Sequence, residues 1–363
     1  MTNVDFMLVA GARPNFVKLA PLHQALAAQQ RPQLMIVHTG QHYDHSMSGS
    51  FFEDLGIPEP EVNLEVGPGS HGQQTAAIMV GFEPLLDRYA PRCVIVFGDV
   101  NSTIACALVA AKAGVAVAHV EAGLRSRDWT MPEEINRVLT DRLANRLYAP
   151  SRDACNNLYS EGISEERVKL VGNIMVDTLC AQLPKIDQKG LLRDHNVEAG
   201  RYVLVTLHRP SNVDQPETLR ELWTALQQTG RREPVLFPAH PRTQARVREF
   251  DLPLPTGGFR VLQPLQYHSF LGLMANARVV LTDSGGVQEE TTALGVPCVT
   301  ARLNTERPIT VTEGTNRLAP PETESIIEAL AQADGRRGRI PELWDGHTAE
   351  RIAIDLCRGT SDP

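Results

Sequence analysis

Cys93-Val-Ile-Val-Phe-Gly-Asp99 is the stretch whose reading decides the fold. It is a short, uncharged, β-branched run that ends on a carboxylate. A second run of the same kind, Val115-Ala-Val-Ala-His-Val-Glu121, follows one helix-length segment later. Such runs read as strands of a parallel sheet, buried on both faces. In an open parallel sheet the carboxyl ends of the strands face the ligand crevice. Asp99 and Glu121 therefore point toward one cleft. Pro132-Glu-Glu-Ile-Asn-Arg137 opens the next helix with a proline in its first turn, which adds Glu133 as a third candidate. Neighbouring carboxylates push their pKa values apart, and that equips a site to move protons. The plainer alternative is that Asp99 and Glu121 only cap the helices after them.

Outward from this centre the pattern repeats. Asp5-Phe-Met-Leu-Val-Ala10 leads into a helix from about Asn15 to Gln29, and Gln33-Leu-Met-Ile-Val-His38 follows. After the helix from about Glu133 to Asn145 comes Arg146-Leu-Tyr-Ala149. A second series starts at Tyr202-Val-Leu-Val-Thr206 and runs through Pro234–Phe237, Phe259–Leu262, Arg278–Leu281 and Val296–Thr300. Strand and helix alternation of this kind means an α/β fold with parallel sheets. Between the series lies a polar connector, Asp187 to Gly200, so the hinge falls near 171–200.

At 363 residues the chain has room for two domains. A net charge of −8 argues against a nucleic-acid partner. No apolar run reaches membrane-spanning length, and the N-terminus carries no signal-peptide pattern. The six cysteines form no Cys-x-x-Cys pair, which points to a reduced, cytoplasmic protein with neither a disulfide frame nor a metal site.

Four further motifs carry chemistry. Gly11-Ala-Arg-Pro14 follows the first strand and sets Arg13 near a helix start, with Lys18 five residues on; a solvated loop arginine is the alternative. Gly67-Pro-Gly-Ser-His-Gly72 matches a dinucleotide fingerprint. The segment before it, Glu61 to Val66, is too acidic for a buried first strand, so a glycine loop over the site fits better, with His71, Gln73 and Gln74 as contacts. His208 and Arg209 follow the first strand of the second series, and His240 ends the next one; structural histidines are the alternative reading. Thr282-Asp-Ser-Gly-Gly-Val-Gln-Glu-Glu290 runs from a buried strand into a helix. Ser284, Gly285 and Gly286 offer backbone N–H groups and the positive helix end to a diphosphate, and Glu290 can accept from ribose hydroxyls.

In order and spacing, Gly11-Ala-Arg-Pro14, Gly98-Asp99, His119-Val-Glu-Ala-Gly-Leu-Arg125, Pro132–Arg137, His208-Arg209, Asp283–Glu290 and Thr305-Glu-Arg-Pro308 before Glu313-Gly-Thr315 resemble the non-hydrolysing UDP-N-acetylglucosamine 2-epimerases over nearly the whole chain. The resemblance implies two Rossmann-like domains in the glycosyltransferase-B arrangement, with the active site in the interdomain cleft. The domains would be 1–175, rejoined by a C-terminal helix at about 344–363, and 176–343. It implies reversible conversion of UDP-GlcNAc to UDP-ManNAc for surface polysaccharides, no cofactor or catalytic metal, and a homodimer. Asp99, Glu121, Glu133 and His208 take the catalytic positions. Arg13, Lys18, His240, Gln266, Phe270, Ser284, Gly285, Gly286, Glu290 and Arg307 take those that bind the UDP-sugar.

The C2 proton of a sugar nucleotide is not next to a carbonyl. If UDP leaves C1 first, that proton becomes acidic, a carboxylate removes it, and a 2-acetamidoglucal results. Protonation from the other face and return of UDP complete the inversion. Three departures from the family pattern stand out: Asn15 where glutamate is common, Gln41-His42-Tyr43 and Gln73-Gln74 where allosterically regulated members carry arginines, and Pro210-Ser211 where Arg-Glu is common. They leave open a modified substrate such as UDP-2,3-diacetamido-glucuronic acid. A glycosyltransferase, a hydrolysing epimerase and a non-catalytic nucleotide-sugar sensor are the remaining alternatives.

Overall fold

The computed structural model describes residues 4–29, 32–40, 52, 55–333 and 338–358. They form two compact units, 1–178 with 342–363 and 179–341. Each is built on a parallel sheet. The first unit's strands are β1 (Phe6–Ala10), β2 (Leu34–His38), β3 (Val62–Asn63), β4 (Cys93–Phe97), β5 (Ala116–Val120), β6 (Arg146–Ala149) and β7 (Val168–Leu170), in the order β3-β2-β1-β4-β5-β6-β7. The second unit has β8 (Val203–Thr206), β9 (Val235–Pro238), β10 (Phe259–Leu262), β11 (Val279–Thr282), β12 (Cys298–Ala301) and β13 (Asn316–Ala319), in the order β10-β9-β8-β11-β12-β13. Every neighbouring pair runs parallel.

The reason is visible in the residues. All five residues of β1 and of β4 are buried, as are all four of β9, β11 and β12. A strand with no polar face needs cover on both sides, which crossover helices provide. Both sheets reverse their strand order at one place, between β1 and β4 and between β8 and β11. Ligands of open α/β sheets bind beyond the strand ends at such a switch point. Gly11 to Arg13 and Asp99 lie at the first switch point, and His208 and Ser284 at the second.

Three edge strands carry too little pattern to be read from the sequence: β3 has two residues, β7 has three, and β13 begins on asparagine and arginine. The polar connector also differs from its reading. It contains a helix, Gln188–Asp194, that starts where Asp187 Oδ1 accepts from Gly190 N at 3.0 Å. Leu191 and Leu192 of this helix pack against the second unit's core. The helix Ile174–Gln182 spans the division between the units.

The C-terminal helix Thr348–Arg358 packs in the first unit, against the helix Arg13–Ala27. Its first amides have no partner within their own helix. Asp177 supplies one: its carboxylate accepts from Thr348 N at 3.1 Å and Ala349 N at 2.7 Å, both buried. Tyr148 also ties the helix in, donating from its hydroxyl to Asp355 Oδ2 at 3.0 Å. Asp177→Ala leaves two buried amides unmet and lowers unfolding free energy by about 1–3 kcal/mol; urea denaturation of the two proteins compared at one pH measures the loss.

Candidate active site

In the first unit the sequence positions the carboxylates by strand ends and tight turns. Gly98 has φ +62 and Glu121 φ +74. The left-handed region suits glycine but costs another residue roughly 1–2 kcal/mol. Here Glu121 N and Ala122 N both donate to Tyr148 O at 3.1 Å and hold the turn. Gly98 has a second reason to lack a side chain, because a Cβ there would sit 3.1 Å from Glu121 Oε2 and from Lys18 Nζ. Lys18 and Glu121 form a buried ion pair.

Asp99 pairs with Arg137, which also meets Glu134. The two glutamates after Pro132 divide their work. Glu134 is buried and accepts from Ser126 N and Oγ, both at 2.9 Å, and from Arg127 N at 2.8 Å. Burial pushes its carboxyl pKa up, but those donors and Arg137 outweigh burial and hold it below the usual range. Glu133 is half-buried and has no hydrogen-bond partner among the described residues. A cavity of about 330 Å³ opens between Asp99 and Glu133, with His71, Gln74, Asn101 and Asn136 in its lining. Glu121 and Lys18 are not among the lining residues.

The amides of that lining form one chain. Asn136 Nδ2 donates to Asp99 O at 2.9 Å and to Asn101 Oδ1 at 3.3 Å. Asn101 Nδ2 donates to Gln74 Oε1 at 2.9 Å, and Gln74 Nε2 to Gly67 O at 3.0 Å. The glycine-rich segment is thereby tied to the Asp99 turn. Its apparent dinucleotide fingerprint follows only the two-residue edge strand β3, and Ser70 caps the helix His71–Tyr89. Arg13 opens the helix Arg13–Ala27 at the β1 end, and its side chain lies outside the description. Gln41, His42 and Tyr43 lie outside the described residues. Asn15 anchors the β1 turn: its Oδ1 accepts from Gly11 N at 3.2 Å and Ala12 N at 3.1 Å, and its Nδ2 donates to Phe97 O at 3.0 Å.

In the second unit Asp283 is the fixed point. Its buried carboxylate accepts from His208 N at 3.0 Å, Arg209 N at 2.9 Å and Asn212 Nδ2 at 3.1 Å. His208 Nδ1 lies 3.0 Å from Asp283 Oδ1, and about half of the His208 side chain stays exposed. Burial raises the Asp283 pKa, but His208 and the backbone donors outweigh it and hold the group ionised below the usual range. His240 caps the helix Pro241–Glu249, its Nδ1 accepting from Arg242 N at 3.2 Å. Burial, His208 and Arg242 all push its pKa down.

Ser284 precedes the helix Gly285–Leu294. Behind the helix start, Glu306 is ringed by Arg307 at 2.6 Å, Arg302 at 2.8 Å and Arg209 at 3.3 Å. Burial disfavours its charge, yet the three guanidiniums drive its pKa far below the usual carboxylate range. Arg307 Nε also meets Glu289 at 3.0 Å. Gly285 is needed by close approach, since a Cβ would lie 2.3 Å from Arg307 Nη1. The sequence singled out Arg307 but not its partners Arg302 and Glu306; the Thr305–Pro308 motif was the signal that could have found Glu306.

Glu290 is buried, and Tyr267 donates to its Oε1 at 3.1 Å. Gln266 directly precedes the helix Tyr267–Ala275, which also carries half-buried Phe270. A larger cavity of about 670 Å³ lies at the other end of the second sheet, lined by Pro234 and Arg278 before β9 and β11, and holds none of the candidate residues.

A parallel-sheet unit with a cavity between two carboxylates, and another with a glycine-led helix start backed by arginines, equip an α/β nucleotide-sugar enzyme. The chain belongs to the UDP-N-acetylglucosamine 2-epimerase family, whose model matches residues 24–356. It is 42% identical to the UDP-N-acetylglucosamine 2-epimerase of Methanocaldococcus jannaschii, over 97% of this chain and 98% of that one. It is 39% identical to a UDP-2,3-diacetamido-2,3-dideoxy-D-glucuronate 2-epimerase of Pseudomonas aeruginosa, over 98% and 100%. The crystal structure of the Methanocaldococcus jannaschii epimerase with UDP-GlcNAc and UDP has a TM-score of 0.90 at 40% identity, over 98% of this chain and all of that one. No helix among the described residues is long and apolar enough to cross a membrane.

Burial raises the pKa of Glu290 to about 7, a neighbouring Glu289 adds to that, and the Tyr267 hydroxyl partly offsets it. The folded protein thus binds more protons than the unfolded chain between pH 4.5 and about 7. Stability must fall as pH rises through that window, by an amount on the order of 3 kcal/mol from this group. Glu290→Gln removes the slope; chemical denaturation at pH 5 and pH 7.5 compares the two proteins.

Proposed function

We propose that this chain interconverts UDP-GlcNAc and UDP-ManNAc by eliminating UDP to a 2-acetamidoglucal and adding it back. The observation that carries the reading is the cavity lined by both Asp99 and Glu133. Proton removal on one face of C2 and delivery on the other require two acid–base groups around one carbon. Asp99, Glu121 and Glu133 take those roles. Asp99 and Glu121 each have a cationic partner, Arg137 and Lys18, whereas Glu133 faces the cavity.

The second unit holds the leaving group. Gly285 and Gly286 at a helix N-terminus suit a diphosphate, which Ser284, His208, His240 and Arg307 neutralise or contact. Glu290 accepts from the ribose hydroxyls, and Gln266 and Phe270 line the nucleoside. Lys18 stands at the sugar or phosphate. UDP stays bound while the glycal is reprotonated, so neither free UDP nor an acceptor product builds up.

A derivatised UDP-hexosamine is the second reading, favoured by the identity to the Pseudomonas aeruginosa protein. Gln73, in place of an arginine, speaks against allosteric activation by a second UDP-GlcNAc. The protein acts in the cytoplasm as a homodimer. The six cysteines form no Cys-x-x-Cys pair, which supports the location. The exposed apolar side chains of Trp129, Ile135 and Leu139 support pairing with a second copy.

Proton NMR with UDP-GlcNAc in D2O tests the reading. A UDP-ManNAc anomeric signal grows in, both sugars gain deuterium at C2, and free UDP does not accumulate. Stoichiometric UDP release without C2 exchange overturns it. In the same assay Glu121→Gln folds normally and loses at least about 100-fold in turnover; wild-type turnover removes Glu121 from the mechanism.

A further inference from the structure

Asp141 lies on the helix Pro132–Leu143, two turns beyond Glu133, with no solvent exposure. Its Oδ1 is 2.7 Å from His119 Nδ1, and its Oδ2 accepts from Gly123 N at 3.1 Å and Arg125 Nη1 at 2.7 Å. The fully buried His119 ring then reaches Gly98 O with Nε2 at 2.8 Å. One carboxylate is therefore connected to every element that carries a candidate acid. It sits on the helix of Glu133. It holds Gly123, two residues after Glu121. Through His119 it holds Gly98, the residue before Asp99.

The hydrogen bonds are directional and leave little slack. A carbonyl oxygen only accepts, so His119 Nε2 donates to Gly98 O. Arg125 is itself locked, donating to Glu161 at 2.8 Å from both Nε and Nη2 and to Leu124 O at 2.7 Å. Burial raises the Asp141 pKa, but His119 and Arg125 outweigh burial and keep it below the usual range. A charged group with no water around it cannot shift without breaking several charge-assisted bonds at once.

We infer that Asp141 and His119 are positioning residues: they set the spacing of Asp99, Glu121 and Glu133 without touching the substrate. The inference rests on the epimerase reading for the meaning of that spacing. A displacement of an ångström at an acid–base group costs about 100-fold in rate. The effect must fall on chemistry, because none of the hydrogen-bond partners of Asp141 and His119 is assigned to the diphosphate or nucleoside.

Two variants of the full chain separate the links. His119→Asn keeps a donor near the Nδ1 position for Asp141 but cannot reach Gly98 O, so it releases the Asp99 turn alone. Asp141→Asn weakens both links. Both variants are expected to lose about 100-fold in kcat with KM and the Kd for UDP unchanged. Free 2-acetamidoglucal and UDP should escape in a larger share of turnovers, because a misplaced acid reprotonates the intermediate more slowly. Trp344→Phe removes a buried hydrogen bond to Pro150 O elsewhere in the first unit and serves as the stability control. It lowers Tm without raising glycal release. Independently of turnover, the Asp99 amide resonance moves in His119→Asn and stays in Trp344→Phe. Wild-type kcat and glycal release in folded His119→Asn and Asp141→Asn, or an unmoved Asp99 amide, overturn the inference. Absence of turnover in the wild type defeats the epimerase reading instead, and the amide shift still decides the positioning role.

Discussion

A carboxylate sealed away from water must be met by donors on nearly every lone pair, and each unit of this protein is arranged around one. In the first unit it is Asp141, met by a histidine ring, a backbone amide and an arginine. In the second it is Asp283, met by two backbone amides and an asparagine. An ion in a low-dielectric interior is expensive unless fully solvated by protein. That expense makes the geometry specific, because any drift of the donors exposes the cost. Both aspartates grip turns at the carboxyl ends of strands, where backbone alone would be loosest. Packed sheets thus deliver the candidate groups roughly, and a buried anion fixes them finely.

Electrostatics divides the second unit's glutamates. Glu290 and Glu306 are both buried, and burial alone would push both pKa values up. Glu290 has a neutral phenol and another glutamate beside it, so it titrates near neutrality. Glu306 has three arginines, which hold its pKa far below the usual carboxylate range. Proximity of positive charge, not depth, decides the outcome. Glu134 follows the same rule in the first unit: burial pushes its carboxyl up, and the amides of Ser126 and Arg127 with Arg137 outweigh it.

Much of this was legible in the amino-acid order. Cys93–Phe97 and Val279–Thr282 announce parallel strands because burial on both faces leaves no polar position to blur the pattern. Edge strands such as Val168–Leu170 lack that cover and read as loop. Strand-end placement brought out Asp99 and Glu121, and the proline ahead of Glu133 brought out the third acid. Asp141 stayed hidden. Its polar neighbours Thr140 and Arg142 do not mark it as buried, and only the crossing of three separate segments gives it donors. The Arg302–Glu306–Arg307 cluster was hidden for a related reason: charged residues close in sequence look like a solvated loop until a fold removes the water. Asp187 shows the reverse error, a helix cap inside a segment too polar to show a period.

The first unit is not contiguous. Its last helix, Thr348–Arg358, is read out after the whole of the second unit and is held by Asp177 from near the end of the first stretch. During synthesis the opening 178 residues emerge without the helix that covers Arg13–Ala27, and the second unit is complete before that helix exists. The second unit can therefore fold while the first still exposes an apolar face. The first unit can close only once Thr348–Arg358 has been made. Removal of Thr348–Arg358 would strike the N-terminal unit and leave the adjacent one whole.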